Sequence, residues 1–297
     1  MPAPDVRLSV DVKPWIAFTT CGLIWGSTFL IIDIGNDSLP PVWAATLRLI
    51  LAALLLGIWA RIRGAPFPRG RALWAAVGHG VCQFGINFPL LYWAERRVPS
   101  GVAAVMYATG PLSSALMARA FGLEPLTPGK LVGAVTALGG VIVLFSTGLD
   151  GRVAPIGLLA LLVAATSSGL GVVLLKRGPR QSPIAANALG CVVGAAMALA
   201  VNIALGEAHP LPLTFAAAAP LLYLTVAGSL GAFVLMSWLI NHWPVSRTSY
   251  VSIIVPVLAL ALGAAVRGQQ VGPAALGGCA LILAGLLIGM RRPRTAA

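Results

Sequence analysis

Three polar side chains, spaced four residues apart in an otherwise apolar stretch, are the first candidates for binding chemistry. They are His79, Gln83 and Asn87. Residues four apart share one face of an α-helix, so the spacing predicts a polar stripe along a helix. Polar groups in hydrocarbon need partners. The stripe therefore either lines a substrate path or holds neighbouring helices together, and His79 could also exchange protons near neutral pH.

Arg48 is a second ionisable residue that lies well inside an apolar stretch. At 1.5 Å per residue it stands about 10 Å beyond Pro41 along a helix. A guanidinium at this depth could bind the carboxylate of a substrate. It could also snorkel toward water or pair with backbone carbonyls, and the sequence leaves these roles open.

Aromatic and hydroxyl groups near the middle of the first apolar stretch extend the candidate binding set to Trp25, Ser27 and Thr28. The same stretch contains Gly22 and Gly26, a GxxxG pattern that is typical of close helix packing. Binding and packing are therefore both possible roles for this part of the chain.

Hydroxyl groups also occur in the sixth apolar stretch, at Thr166, Ser167 and Ser168. They either contribute to a substrate path, with Ser167 as the candidate, or bond their own backbone.

Two prolines inside apolar stretches are candidate hinges, because proline removes a helical hydrogen bond and permits a kink. Tyr107 lies one turn before Pro111, and the turn before Pro256 carries further hydroxyl groups. We predict binding roles for Tyr107 and for Ser249, Tyr250 and Ser252. Gly26 and Gly171 complete the predicted hinges.

The carboxylates all lie at the ends of apolar stretches or between them, as Asp33, Asp37, Glu95 and Glu207 illustrate. Proton-coupled transport through Asp or Glu is therefore not expected, which leaves downhill facilitation or coupling through His79. No nucleotide-binding motif or metal-ligand spacing is present, so no cofactor or metal is expected.

The elements that must position these residues are membrane helices. With 58% hydrophobic and 9% charged residues in 297, the chain cannot hide its apolar side chains in a water-soluble core. The net charge of +12 comes from basic residues in short gaps between apolar stretches. Membrane topology accounts for them, so no nucleic acid partner is expected.

Pro, Gly and charged residues interrupt the chain and divide it into ten apolar segments of about 20 residues, the length that crosses a bilayer. They are 14–34, 41–60, 72–93, 99–121, 129–147, 155–175, 183–205, 216–240, 246–266 and 272–290. Most of the 20 Lys and Arg residues fall on one side if both termini are cytoplasmic. The first segment is too long for a cleavable signal sequence.

Half of the chain repeats in the other half at an offset of 145 residues. The offset pairs Phe88, Trp93, Pro99, Pro111, Pro128, Gly133 and Gly140 with Phe233, Trp238, Pro244, Pro256, Pro273, Gly278 and Gly285. Five segments per copy is an odd number, so the second copy must cross the membrane in the opposite sense. We predict an all-α fold of two inverted five-helix repeats, 1–147 and 155–297, joined by a linker at 148–154.

These motifs together resemble the ten-helix EamA-like branch of the drug/metabolite transporter superfamily. The resemblance rests on the run from Trp25 to Phe29, on Arg48, on Pro111 with the run from Glu124 to Thr127, and on the Gly133 to Gly140 helix, which recurs before Gly285. Gln269 replaces an acidic residue that is usual there. The resemblance implies a secondary transporter, often an exporter, similar to bacterial aromatic amino acid exporters.

The expected function is export of amino acids, including aromatic ones, or similar neutral metabolites across the bacterial inner membrane by alternating access. Export of nucleosides, purines or drugs is the alternative, followed by a channel or receptor. The expected partners are a small-molecule substrate and the bilayer, with the monomer as the functional unit. No enzyme activity is expected, because Ser100 of the run Val98 to Gly101 is better explained as a helix cap.

Overall fold

The structure of the protein is a computed structural model that describes residues 12–123, 125–148, 153–232, 235, 236, 239 and 251–290, without the side chains of 147, 148 and 252. The regular secondary structure of these residues is all helical. The helices of the first half are α1 (Val12–Gly35), α2 (Pro41–Ile62), α3 (Arg71–His79), the π-helix π1 (Gly80–Ile86), α4 (Asn87–Glu95), α5 (Ser100–Tyr107), α6 (Gly110–Ala120) and α7 (Pro128–Gly148). Those of the second half are α8 (Pro155–Arg177), α9 (Pro183–Ala204), α10 (Phe215–Tyr223), the π-helix π2 (Leu224–Gly231), α11 (Val251–Arg267) and α12 (Pro273–Met290).

The predicted membrane segments are confirmed as helices. Seven helical stretches are long and apolar enough to cross a bilayer, and two shorter apolar stretches, Phe215–Gly231 and Ile253–Arg267, fall in the eighth and ninth segments. The third segment runs without a gap through α3, π1 and α4. Large apolar side chains such as Leu54, Ile142 and Ile203 point outward, as they would toward lipid.

Helix α7 of the first half packs against α12, its equivalent in the second half, through two symmetric pairs of glycines. A Cβ atom on Gly133 would lie 2.5 Å from the carbonyl oxygen of Gly285, and one on Gly285 would lie 2.5 Å from that of Gly133. Gly140 and Gly278 approach each other in the same way. Residue numbers rise along α7 as they fall along α12, so the two helices are antiparallel. The offset of 145 maps each glycine pair onto the other, so the helices are related by a half-turn about an axis perpendicular to them. This geometry is that of an inverted repeat.

The structure of the third segment differs from the regular helix on which the predicted polar stripe depends. We expected a regular α-helix through His79, Gln83 and Asn87, but residues 80–86 form a π-helix. A π-helix bonds five residues apart and changes the direction of every later side chain relative to the earlier ones. The second copy contains π2 at the equivalent position, so this interruption belongs to the repeated unit.

The two predicted proline hinges differ in structure. The fourth segment is interrupted at Ala108 and Thr109, and α6 begins at Gly110, directly before Pro111. Pro256 lies inside the continuous helix α11. A hinge role for either proline remains a prediction.

The core lies between the helices that carry the candidate site. Fully buried side chains on α2, α4, α5 and α8 include Leu49, Tyr92, Met106 and Leu161. The four cysteines are free and buried.

Candidate functional site

Arg48 of α2 lies inside the bundle with 6% of its surface exposed. Its Nε donates a hydrogen bond to Oγ of Ser229 in π2 at 3.2 Å, and its Nη1 donates to the hydroxyl of Tyr92 in α4 at 3.2 Å. The guanidinium lies 4.9 Å from the centre of the Phe88 ring. Arg48 therefore joins both halves of the chain and does not snorkel toward water.

The charge of Arg48 is not neutralised by a carboxylate among the described residues. Its partners are two hydroxyl groups and an aromatic ring, and within the described residues no carboxylate lies within ion-pair distance of it. A buried charge is costly unless it is paired. A guanidinium in such surroundings has the chemistry to bind an anionic group through charge-assisted hydrogen bonds.

Asn87 and Tyr107 form a second polar contact beside Arg48. Asn87 is completely buried, and its Nδ2 donates to the Tyr107 hydroxyl at 2.9 Å and to the Gln83 carbonyl at 3.0 Å. The ring of Tyr107 packs edge-on against Phe29 of α1, with centres 5.9 Å apart. The Oδ1 atom of Asn87 has no partner among the described residues, so an acceptor is available there.

Gln83 and the serines of α8 close this set of contacts. Ser168 donates to Oε1 of Gln83 at 2.6 Å, and Ser167 donates to the backbone carbonyl of Cys82 at 2.8 Å. Ser168 and Gln83 also lie near the Tyr107 hydroxyl. We refer to Arg48, Tyr92, Ser229, Asn87, Tyr107, Gln83 and Ser168 as the central polar cluster.

His79 lies outside the central polar cluster, at the end of α3. It is 5% exposed, and its ring packs edge-on against Phe84 with centres 5.4 Å apart. Asn187 of α9 and the backbone of Gly171 lie close to the ring. Neither ring nitrogen makes a hydrogen bond in the described part of the chain. The predicted stripe is therefore divided, and His79 stands apart from Gln83 and Asn87.

The candidates of α1 contact the second copy. Trp25 donates from Nε1 to the carbonyl of Gly228 in π2 at 3.3 Å, and Ser27 Oγ lies 2.7 Å from the hydroxyl of Tyr223 in α10. Thr28 donates only to the Trp25 carbonyl within its own helix, at 2.6 Å. Trp25 and Ser27 thus join α1 to the third helix of the other repeat.

The predicted hinge glycines are sites of close packing. A Cβ atom on Gly26 would lie 2.7 Å from Cβ of Leu258 in α11. One on Gly171 would lie 3.0 Å from the Gln83 backbone nitrogen. Each position brings a helix of one repeat against a helix of the other. A hinge role for either glycine remains a prediction.

One end of the bundle is held by charged and polar contacts between α1, α5 and α11. Arg267 pairs through Nε with Asp33 at 2.9 Å and through Nη2 with Asp37. Gln269 accepts hydrogen bonds from the Ser100 hydroxyl at 2.9 Å and from its backbone nitrogen at 3.1 Å. We refer to Asp33, Asp37, Arg267, Gln269 and Ser100 as the latch. This end is the outer one in the topology predicted from the sequence, and that orientation remains a prediction.

Several contact residues were not predicted from the sequence: Tyr92, Phe88, Phe29, Ser229 and Tyr223. Tyr223 had no signal in the sequence, because the offset of 145 pairs it with Gly78, and its place directly before π2 is known only from the structure. Tyr92 and Ser229 had none, since each is identified only by its contact with Arg48. Ser249, Tyr250 and the side chain of Ser252 lie outside the described residues, as does Glu124.

No group of three or more His, Cys, Asp and Glu side chains in the described ranges is arranged to hold a metal ion. The chemistry of the central polar cluster is that of hydrogen bonding and charge recognition.

The arrangement of two inverted helical repeats around a central polar cluster defines a membrane transport protein. The EamA-like transporter family model matches the chain twice, at residues 13–146 and 155–290, and the protein belongs to this family. Each match covers one of the two predicted repeats.

Similar proteins carry transport names. The chain is 31% identical over 250 residues to the "Uncharacterized inner membrane transporter YedA" of Escherichia coli K12, covering 83% of this chain and 80% of that protein. It is 29% identical over 291 residues to the "Probable amino-acid metabolite efflux pump" of Salmonella typhimurium, covering 92% and 94%. It is 28% identical over 274 residues to the "Probable terminal-alkyne amino-acid exporter" of Streptantibioticus cattleyicolor, covering 90% of each.

A crystal structure has the same fold. It matches with a TM-score of 0.63 at 20% sequence identity and covers 95% of this chain and 98% of that one. This likeness extends over both repeats.

Proposed function

We propose that the protein is a secondary carrier that exports small zwitterionic metabolites, above all amino acids including aromatic ones, by alternating access. The observation that carries the proposal is Arg48, a buried guanidinium without an anionic partner in the described chain. A substrate carboxylate would supply that partner through a charge-assisted hydrogen bond.

The surroundings of Arg48 favour an amino acid over a polyanion. A phosphate ester would require several buried cations, whereas the other members of the central polar cluster are neutral amide and hydroxyl groups. The free Oδ1 of Asn87 can accept a hydrogen bond from an ammonium group. Phe88, Phe29 and Tyr107 provide aromatic faces against which an apolar side chain can pack.

Two relatives support this substrate class by name, the amino-acid metabolite efflux pump of Salmonella typhimurium and the terminal-alkyne amino-acid exporter of Streptantibioticus cattleyicolor. Their names also support export as the direction of transport. The repeat supports alternating access, because two inverted copies around one site can close at either end in turn. We place the protein in the bacterial inner membrane with both termini cytoplasmic, acting as a monomer.

The test is counterflow into proteoliposomes. Vesicles loaded with unlabelled substrate should accumulate labelled amino acids, and each amino acid should exchange about ten- to a hundredfold better than its carboxamide, which is the range expected for a hydrogen bond to a charged group. In Arg48→Gln the acid and the amide should converge. Arg97→Gln is the matched control, because Arg97 stacks on Trp93 at a helix end.

Equal exchange of acid and amide by the unmodified protein would contradict the role of Arg48. Exchange of nucleosides but not amino acids would favour the alternative substrate class. Flux without stimulation by unlabelled substrate on the opposite side would indicate a channel.

A further inference from the structure

Glu95, the last residue of α4, is buried without a partner. It is 2% exposed, and neither of its carboxylate oxygens makes a hydrogen bond within the described residues. An ionised carboxylate in such surroundings is far more costly than a neutral carboxyl group. The sequence places Glu95 at the end of a segment, which suggested exposure, but the fold covers it.

The charged groups that face Glu95 do not offset a negative charge on it. Asp33 of α1 is its anionic neighbour, and Asp33 is itself paired with Arg267 of α11. Arg48 of α2 is directed to Tyr92 and Ser229. Over the described residues, π1, α5 and α9 contain no Asp, Glu, Lys or Arg, and those of α8 lie at its opposite end.

The two arginines that follow Glu95 are also engaged elsewhere. Arg96 donates from Nη1 to the backbone carbonyl of Asn36. Arg97 donates to the carbonyl of Trp93 at 2.8 Å, and its guanidinium lies 3.6 Å from the centre of that ring. A bound proton makes the carboxyl group neutral, and it therefore allows Glu95 to remain buried.

The contacts beside Glu95 are connected to the latch through the end of α1. Asn36 directly follows α1, and its Nδ2 donates to the carbonyl of Tyr92 at 3.1 Å, close to the end of α4. Asp33, in the last turn of α1, belongs to the latch. A movement of α1 away from α11 would break the latch contacts of Arg267 and disturb the Asn36 contacts beside Glu95.

We propose that Glu95 is a proton-binding site linked to the closed latch. The carboxyl group holds its proton while the latch is closed, and it releases the proton to water when α1 moves away and the carboxylate becomes solvated. The closed state binds this proton more tightly, so acid at this end of the bundle favours closure and alkali favours opening. The site adds a proton-sensitive step to the proposed carrier, and it can be tested without transport.

The first test is infrared spectroscopy of the purified, substrate-free protein at neutral pH. The band of a protonated carboxylic acid should be present and should disappear in Glu95→Gln. Glu207→Gln is the matched control, because the Glu207 side chain has partners that Glu95 lacks: it accepts hydrogen bonds from Asn202 and from the backbone nitrogens of Val42 and Trp43. That substitution should leave the band unchanged.

The second test measures the opening of the latch as a function of pH. Ser100 is completely buried, so Ser100→Cys should react slowly with a membrane-impermeant maleimide while the latch is closed. At acidic pH, single Ser100→Cys and double Ser100→Cys/Glu95→Gln proteins should react at the same rate. As the pH rises, the single variant should become several-fold faster than the double variant. Comparison at each pH cancels the pH dependence of the thiol.

Two results would overturn the proposal: an infrared band that is unaffected by Glu95→Gln, or labelling rates that do not diverge with pH. If Glu95→Gln does not fold, Glu95→Met removes the carboxyl group at similar length and serves in both comparisons. Loss of the proposed amino acid transport would leave both measurements intact, so failure of that function is distinguishable from failure of the proton site.

Discussion

Arg48 and Glu95 are both buried and both lack an ion-pair partner among the described residues, but their chemistry differs. A guanidinium in a protein cannot give up its proton, so a buried Arg side chain depends on hydrogen bonds, aromatic contacts or an anion for stabilisation. A carboxyl group can become neutral by binding a proton. This difference is the reason why we propose a substrate site at Arg48 and a proton site at Glu95.

The hydroxyl group of Tyr92 is predicted to be one of the main supports of Arg48. Tyr92→Phe should lower the free energy of unfolding by about 1.5–3 kcal/mol, because it removes a hydrogen bond to a charged group. Thermal unfolding of the purified protein in detergent measures the effect.

Tyr223→Phe is the matched control for this prediction. It removes a neutral hydrogen bond to Ser27, which still donates to the Ile24 carbonyl at 2.8 Å. The expected loss is about 0.5–1.5 kcal/mol. An equal loss in the two variants would show that Tyr92 does not support the charge of Arg48.

At the scale of the elements, the paired π-helices differ in chemistry but not in position. His79 directly precedes π1, and Tyr223 directly precedes π2. Each π-helix also carries a polar side chain that contacts the other repeat. Gln83 of π1 accepts from Ser168, whereas Ser229 of π2 accepts from Arg48. Duplication therefore retained the helix shape while the side chains of the two copies took different roles.

The glycine contact between α7 and α12 is predicted to hold the two repeats together. In Gly133→Ala the new Cβ would lie 2.5 Å from the carbonyl oxygen of Gly285 and 2.7 Å from the backbone nitrogen of Gly289. Backbone atoms cannot yield as a flexible side chain does, so we expect a loss of about 1–3 kcal/mol from overpacking. The midpoint of thermal unfolding should fall accordingly.

Gly139→Ala on the same helix is the control, because nothing lies within 4 Å of a Cβ at that position. It should leave the unfolding midpoint unchanged or raise it, since alanine is the better helix former. If both substitutions destabilise the protein equally, the close contact of Gly133 is not responsible.

At the scale of the whole molecule, the latch is predicted to hold its end of the bundle closed. Arg267→Gln removes the pairs with both Asp33 and Asp37. The Arg267 side chain is 30% exposed, and each such pair contributes about 0–1 kcal/mol. Maleimide labelling of Ser100→Cys should therefore become faster, by up to about thirtyfold.

Arg97→Gln is the control for the latch, since Arg97 lies at the same end but contacts Trp93. It should not accelerate labelling. In intact cells the reagent should react from the external side, and protection from that side would reverse the predicted orientation of the termini.

The sequence by itself determined the bilayer as solvent, the ten helices and the inverted repeat. These follow from composition, from segment lengths and from a gap-free offset, all of which are local or periodic properties of the chain. It also identified Arg48, Gln83, Asn87 and Tyr107 as polar residues that require partners, because an apolar segment gives such a residue no favourable surroundings of its own.

Only the tertiary structure decided what those partners are. The π-helix turned Gln83 and Asn87 away from the register of His79, and the packing of neighbouring helices around the end of α4 buried Glu95 although it stands at the end of a segment. Hydrogen bonding and burial depend on atoms that are distant in the chain, such as Ser229 for Arg48. Those contacts follow from how the two repeats pack, which no spacing within one segment encodes.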